Sequence, residues 1–174
     1  MLKALFLDRD GIINEPIIKN GRPFSPSRLA EVRIIPDVKA ALMQFRKFGY
    51  LPVVVTNQPE VARGSISLIE VERIHTYLSK ELEIDNIYTC FHDDIDACGC
   101  RKPNPGLLFL AAKELNVNLK HSLMVGDRWK DIEAGQKAGC QCYYLDYSYQ
   151  EKVPSEPFTR VSSLSGVLRY IPFL

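Results

Sequence analysis

Leu2-Lys3-Ala4-Leu5-Phe6-Leu7-Asp8-Arg9-Asp10-Gly11 is the stretch on which the fold turns. Its apolar run has the composition of a buried strand, and it stops abruptly at two carboxylates and a glycine. Side chains two apart on a strand share a direction, so Asp8 and Asp10 leave its end together. Adjacent like charges each make the other harder to ionise. The arrangement is tolerable where a divalent cation sits between the two, or where one carboxyl keeps a proton. D-x-D-G also suits a polar turn closing a strand, so this stretch alone leaves chemistry and turn both open.

The pattern outward from it alternates strand and helix. Residues 15–33 carry Pro16, Gly21, Pro23 and Pro26 without helical or strand period, which suggests an active-site loop; its Lys19, Arg22, Arg28 and Arg33 suit an anionic ligand. Pro36 opens a helix with Val38, Ala41, Leu42 and Phe45 on one face, and Gly49 ends it. Tyr50 to Val55 reads as a second buried strand, ending in Thr56-Asn57-Gln58. Ser67 and Glu70 form a capping box for a helix with Leu68, Val71, Ile74 and Leu78. Ile87 to Phe91 is a third strand, and Asn104-Pro105 opens a helix with Leu108, Ala111, Ala112 and Leu115. Ser122 to Val125 is a fourth strand ending in Gly126-Asp127, followed by a helix to Ala138; Cys140 to Leu145 is a fifth. Leu164, Val167, Leu168 and Ile171 suggest a short docking helix in a Ser- and Pro-rich tail.

The strands are continuous apolar runs, which predicts an α/β fold with a parallel sheet covered on both faces. Ligands of such sheets sit at the carboxyl ends of the strands, and Asp8/Asp10, Thr56/Asn57 and Asp127 all fall there. The 174 residues fit one domain. Twenty-two basic against 21 acidic residues give a net charge of +1, which speaks against nucleic acid and anionic membranes as partners. No apolar run nears the ~20 residues that span a bilayer. With no export signal before the first strand, a cytoplasmic protein, monomeric, is the expectation.

Asp8, the neighbourhood of Asp10 and Asp127 offer hard oxygens on one rim, the kind of site Mg²⁺ shares with a substrate phosphate. Asp127 is also a carboxylate at a helix start, where the dipole favours it, and Asp131 reads as a structural partner one turn on. Arg101-Lys102 precedes a helix and supplies cations for a phosphate, and Thr56 and Asn57 supply a hydroxyl and an amide. Cys90, His92, Cys98 and Cys100 form a closed four-ligand set within residues 90–100, which suggests a structural zinc loop holding Arg101-Lys102 over the sheet. Asp93, Asp94 and Asp96 in that loop read as solvated, Cys140 and Cys142 as packing, and His75 and His121 as surface or structural.

Asp8-x-Asp10-Gly11-x-x-Asn14, Thr56-Asn57-Gln58 with Ala62-Arg63-Gly64, Cys-x-His…Cys-x-Cys-Arg101-Lys102-Pro103 and Gly126-Asp127-x-x-x-Asp131 resemble the haloacid dehalogenase superfamily. The likeness is to its small-capped branch of D-glycero-D-manno-heptose 1,7-bisphosphate and histidinol-phosphate phosphatases. It implies a three-layer Rossmann-like domain with a minimal cap, and Mg²⁺-dependent removal of phosphate from a small sugar, heptose bisphosphate first (its 7-phosphate) and histidinol phosphate second. Asp8 is then the nucleophile that forms an aspartyl phosphate, and Asp10 moves the proton, which requires a raised pKa. Mg²⁺ is implied at Asp8, the backbone carbonyl of Asp10 and Asp127. Thr56 and Lys102 are implied at the phosphoryl group, and Asn57, Gln58, Arg101 and Arg128 at the substrate. Pro59-Glu60-Val61 and the five-residue gap between His92 and Cys98 depart from the heptose pattern. A zinc-stapled binding module without catalysis and a nucleic-acid 3′-phosphatase are the rival readings.

Overall fold

The structure is a computed structural model and describes residues 1–171. In chain order its elements are β1 (Lys3–Leu7), β2 (Ile17–Lys19), β3 (Arg22–Phe24), α1 (Val38–Lys47), β4 (Tyr50–Asn57), α2 (Leu68–Leu82), β5 (Ile87–Cys90), α3 (Gly106–Glu114), β6 (Leu123–Gly126), α4 (Trp129–Ala138), β7 (Gln141–Leu145) and β8 (Thr159–Val161). Six strands form one parallel sheet in the order β5-β4-β1-β6-β7-β8. The chain starts in the middle and leaves β1 in both directions, so the crevice above β1 is a topological switch point.

Alternation along β1 divides the interior in two. Leu5 and Leu7 pack with Val38, Leu42 and Phe45 of α1, Ile74 and Leu78 of α2, and Leu164 and Val167 of the tail. Ala4 and Phe6 face the other way, onto Leu108 and Ala111 of α3 and Ile132 and Ala134 of α4. Three layers result, as the apolar strands predict. Phe6, Leu5 and Leu7 are all 0% exposed, and each contributes about 2 kcal/mol through burial. The tail residues Ser165–Tyr170 dock as a 3₁₀ turn rather than an α-helix.

Three expectations need correction. Residues 15–33 are not without structure: β2 and β3 form an antiparallel hairpin whose turn residues, Asn20 and Gly21, have φ of 50° and 68°. Asn-Gly suits two consecutive positive φ values and is a strong hairpin signal, here masked by the flanking prolines. β8 escapes the apolar criterion because it is a three-residue edge strand in a polar tail. The capping box of α2 forms by half: Ser67 accepts the Glu70 N–H at 3.2 Å, but the Glu70 carboxylate accepts the Leu29 N–H at 2.7 Å. Leu68, placed on the buried face of α2, is exposed.

Candidate active site

The site is the rim where β1, β4 and β6 end. Asp8 follows β1, Thr56 and Asn57 close β4, and Asp127 follows β6. Lys102 arrives from the segment before α3 and is 1% exposed. Its ammonium lies 2.8 Å from Asp8 Oδ1, 2.6 Å from Asp131 Oδ1 and 2.7 Å from the Val55 carbonyl. Three acceptors satisfy its three protons. Asn57 braces it, donating to the Lys102 carbonyl (3.0 Å) and accepting the Lys102 N–H (3.1 Å).

Asp8, Asp127 and Asp131 each bring a carboxylate oxygen within 4.8 Å of the others. All three are buried, so the cluster is electrostatically expensive. Burial, together with Asp131 and Asp8, pushes Asp127 well above the carboxylate range. Burial also raises Asp8, to about 6, against the pull of Lys102. Asp127 Oδ2 accepts the Tyr149 hydroxyl at 2.7 Å, while its buried Oδ1 has no partner among the described residues. One cation against three carboxylates and an orphaned buried oxygen suit a divalent ion, and the hard-oxygen donor set fits Mg²⁺. Asp131, read from sequence as a structural partner, ion-pairs with Lys102 and accepts the Arg128 N–H at 3.0 Å, which closes the start of α4.

Glycines make room for this cluster. A Cβ on Gly11 would lie 1.9 Å from Asp127 Oδ2, and φ there is +91°. A Cβ on Gly126 would meet the Asp131 side chain at 2.2 Å. The glycine after D-x-D and the glycine before Asp127 are thus both required by the carboxylates they face.

Asp10 parts from Asp8. Arg9, 1% exposed, closes on it through Nε to Oδ1 (3.2 Å) and Nη2 to Oδ2 (2.9 Å), and Asn14, Ser25 and Gln58 add three more hydrogen bonds. Burial raises Asp10, but the Arg9 charge and these donors outweigh it and hold it below the usual carboxylate range. That is opposite to the raised value a proton donor needs, and the cause is Arg9. On its far side Arg9 donates to His75 Nε2 at 3.1 Å. Burial, with Arg9 beside it, lowers His75 to about 4, so the ring is a neutral acceptor and structural, as its sequence reading has it.

A cavity of about 310 Å³ opens above Asp8 and Asp10. Asn57, Lys102, Arg101 and Arg128 line it, with Arg22 and Ser25 from the hairpin, Glu60, Arg63, Asp94, Lys130, Asp131 and Glu151. Gln58, expected at the substrate, is not there: it is 0% exposed and given over to Arg9, Asp10 and Thr56. Thr56 is also buried beneath the cavity, its Oγ1 accepting from Gln58 at 2.9 Å. Of the four basic residues suggested in the 15–33 loop, Arg22 alone reaches the cavity; Arg28 pairs with Glu31 and Arg33 donates to backbone carbonyls.

Cys90, His92, Cys98 and Cys100 meet as expected, with Sγ and Nδ1 atoms 3.2–3.6 Å apart. Tetrahedral ligands about 2.3 Å from one zinc would stand roughly 3.7 Å apart. Burial raises Cys98, but hydrogen bonds from Cys100, Cys90 and two backbone N–H groups outweigh it and draw the thiol to about 7. Gly106 lets α3 close on this loop, its N–H donating to the Gly99 carbonyl at 3.1 Å. The acidic loop residues are not idle. Asp94 takes Arg101 Nε at 2.8 Å, and Asp93 takes the fork of Arg63 at 2.5 and 2.6 Å.

Residues 15–139 match the sequence profile of the haloacid dehalogenase-like hydrolases. The chain belongs to that family. A haloacid dehalogenase-like relative from Helicobacter pylori, named D-glycero-beta-D-manno-heptose-1,7-bisphosphate 7-phosphatase, is 37% identical over 142 residues, 78% of this chain and 79% of its own. One from Campylobacter jejuni, named for the alpha form of the same bisphosphate, is 31% identical over 173 residues, 97% of this chain and 95% of its own. Among solved structures of the family, D,D-heptose 1.7-bisphosphate phosphatase from B. bronchiseptica, complexed with magnesium and phosphate, matches with a TM-score of 0.84 and 27% identity over 97% of both chains. No helix among the described residues is long and apolar enough to cross a membrane.

Proposed function

We infer that this chain is a Mg²⁺-dependent phosphomonoesterase for a small phosphorylated sugar, D-glycero-D-manno-heptose 1,7-bisphosphate first, releasing the 7-phosphate. One observation carries the reading: a buried carboxylate, Asp8, ion-paired to Lys102 on the floor of a cavity that Arg22, Arg101 and Arg128 help to line, beside an Asp127 oxygen that no donor among the described residues satisfies.

Lys102 engages Asp8 Oδ1, which leaves Oδ2 to attack phosphorus and form an aspartyl phosphate. The departing sugar alkoxide takes a proton from Asp10. Water then attacks the phosphoaspartate, gives its proton to Asp10, and inorganic phosphate leaves with Asp8 restored. Asp8, the backbone carbonyl of Asp10 and Asp127 would hold Mg²⁺, which when bound would supply the charge that offsets repulsion between carboxylate and phosphate dianion. Asp10 begins too acidic to donate because of Arg9; a dianion in the cavity adds negative charge beside it and raises it. Lys102 and Thr56 serve the phosphoryl group, while Arg101 and Arg128 at the cavity wall serve the substrate. Zn²⁺ in the Cys90/His92/Cys98/Cys100 set is structural, since four protein ligands leave no open position.

The test is Mg²⁺-dependent phosphate release from heptose 1,7-bisphosphate, histidinol phosphate and a 3′-phosphorylated oligonucleotide. The bisphosphate should lead by at least tenfold, and histidinol phosphate in first place would overturn the substrate. Asp8→Asn should abolish both turnover and phosphoenzyme trapping; activity surviving in it would overturn the mechanism.

A further inference from the structure

After β7 the chain runs back across the rim of the sheet and is tied down at four points. Tyr147 donates its hydroxyl to the Gly11 carbonyl at 3.0 Å, and Tyr149 donates to Asp127 Oδ2 at 2.7 Å. The Gln150 N–H bonds the Gly21 carbonyl of the hairpin turn at 3.0 Å, and the Glu151 carboxylate ion-pairs with Arg128 at the head of α4. The two tyrosine rings lie 5.6 Å apart, tilted by 30°.

We propose that Tyr149 is a positioning residue for the divalent cation, fixing one oxygen of Asp127 so that the other is presented bare to the ion. The proposal rests on the proposed function's reading of Asp8, the Asp10 carbonyl and Asp127 as the Mg²⁺ site. Asp127 is 0% exposed, Gly11 abuts its carboxylate, and the two carboxylate oxygens are treated differently: Oδ2 is bonded to Tyr149 and Oδ1 to nothing. The chemistry of the partner matters. A lysine or arginine on Oδ2 would neutralise the carboxylate and compete with the ion, whereas a phenol orients it and leaves its charge in place. Tyr149 is not among the residues lining the cavity, so it acts through Asp127 and not on substrate.

Tyr149→Phe deletes one oxygen and keeps the ring against Tyr147; the metal-free melting temperature checks that the fold is retained. Mg²⁺ is titrated calorimetrically into the metal-stripped full chain, wild type and variant, with steady-state kinetics alongside. Partners of metal ligands typically carry 10- to 100-fold in affinity, so the variant's Kd for Mg²⁺ should rise at least tenfold. Its kcat should return to near wild type at saturating Mg²⁺, with KM for the phosphate ester unchanged. Unchanged Mg²⁺ affinity, or a deficit in kcat that saturating Mg²⁺ leaves in place, overturns the role of Tyr149. A wild-type protein that binds no Mg²⁺ instead overturns the reading of the Mg²⁺ site, and the two failures are thereby told apart.

Discussion

Replacing Lys102 by methionine keeps the stem and removes the charge. The ammonium is 2% exposed at its side chain and holds Asp8 at 2.8 Å and Asp131 at 2.6 Å. At an effective dielectric of about 20, each contact is worth roughly 6 kcal/mol before desolvation. Breaking a buried pair by removing one partner costs about 3–5 kcal/mol, because the remaining charge is stranded. Here two carboxylates, Asp8 and Asp131, are stranded, and they have an escape: they can take up protons. Even with Lys102 present, burial lifts Asp8 from 3.8 to about 6, equivalent to roughly 3 kcal/mol. The sign follows from linkage. Between pH 3.8 and 6 the folded protein holds a proton on Asp8 that the unfolded chain has lost, so this group's contribution falls as pH rises through that window. Without Lys102 the folded pKa values climb further and the window extends upward. Urea unfolding in EDTA should therefore show Lys102→Met losing about 3–5 kcal/mol at pH 8 and clearly less at pH 5. An equal loss at both pH values would refute the claim that stranded carboxylates, rather than lost packing, dominate.

Asp127→Asn should raise the metal-free melting temperature at pH 8, since it removes a carboxylate whose charge burial, Asp131 and Asp8 all disfavour, while abolishing any Mg²⁺-induced shift; differential scanning fluorimetry reads both. His75 has its folded pKa lowered to about 4 from 6.5, so its contribution is present above pH 6.5 and lost as pH falls toward 4, by roughly 3 kcal/mol in full. Asp8 changes in the opposite sense over part of that range, so the measurement is the difference in unfolding free energy between wild type and His75→Leu, which should narrow as pH drops. Gly11→Ala meets Asp127 at 1.9 Å with φ at +91° and should cost at least 2 kcal/mol by urea unfolding. Cys100→Ser should lower zinc content by elemental analysis and weaken substrate KM more than kcat, since Arg101 is anchored on the same loop through Asp94 and the His92 carbonyl.

What was legible in the sequence was whatever depends on local order along the chain. The strands of the sheet centre announced themselves by apolar composition, and their polar endings fell on one rim because parallel strands all end on the same side. The Cys90/His92/Cys98/Cys100 cluster was legible because it crowds into eleven positions. Partnerships made by long-range packing were not. Arg9 lies between Asp8 and Asp10 and looked like a spacer, yet it turns inward to His75, 66 residues away. Gln58 follows two residues of the rim and seemed to belong with them, but alternation along the chain sends it beneath the cavity. Tyr149 carried no signal at all, because nothing in Asp146-Tyr147-Ser148-Tyr149 tells that the segment crosses back to Asp127.

Two carboxylates two residues apart thus become unlike through the cation each receives. Asp10 gets Arg9, a guanidinium whose fork spans both its oxygens, and is driven below its ordinary value. Asp8 shares Lys102 with Asp131 and sits among like charges, and is lifted to about 6. In this state the order of acidity is the reverse of the one that phosphoryl transfer to Asp8, with Asp10 as acid, demands. Under the proposed mechanism, a divalent cation held by Asp8, the Asp10 carbonyl and Asp127 would lower the first, and a phosphate dianion in the cavity would raise the second. Binding both would therefore invert the pair.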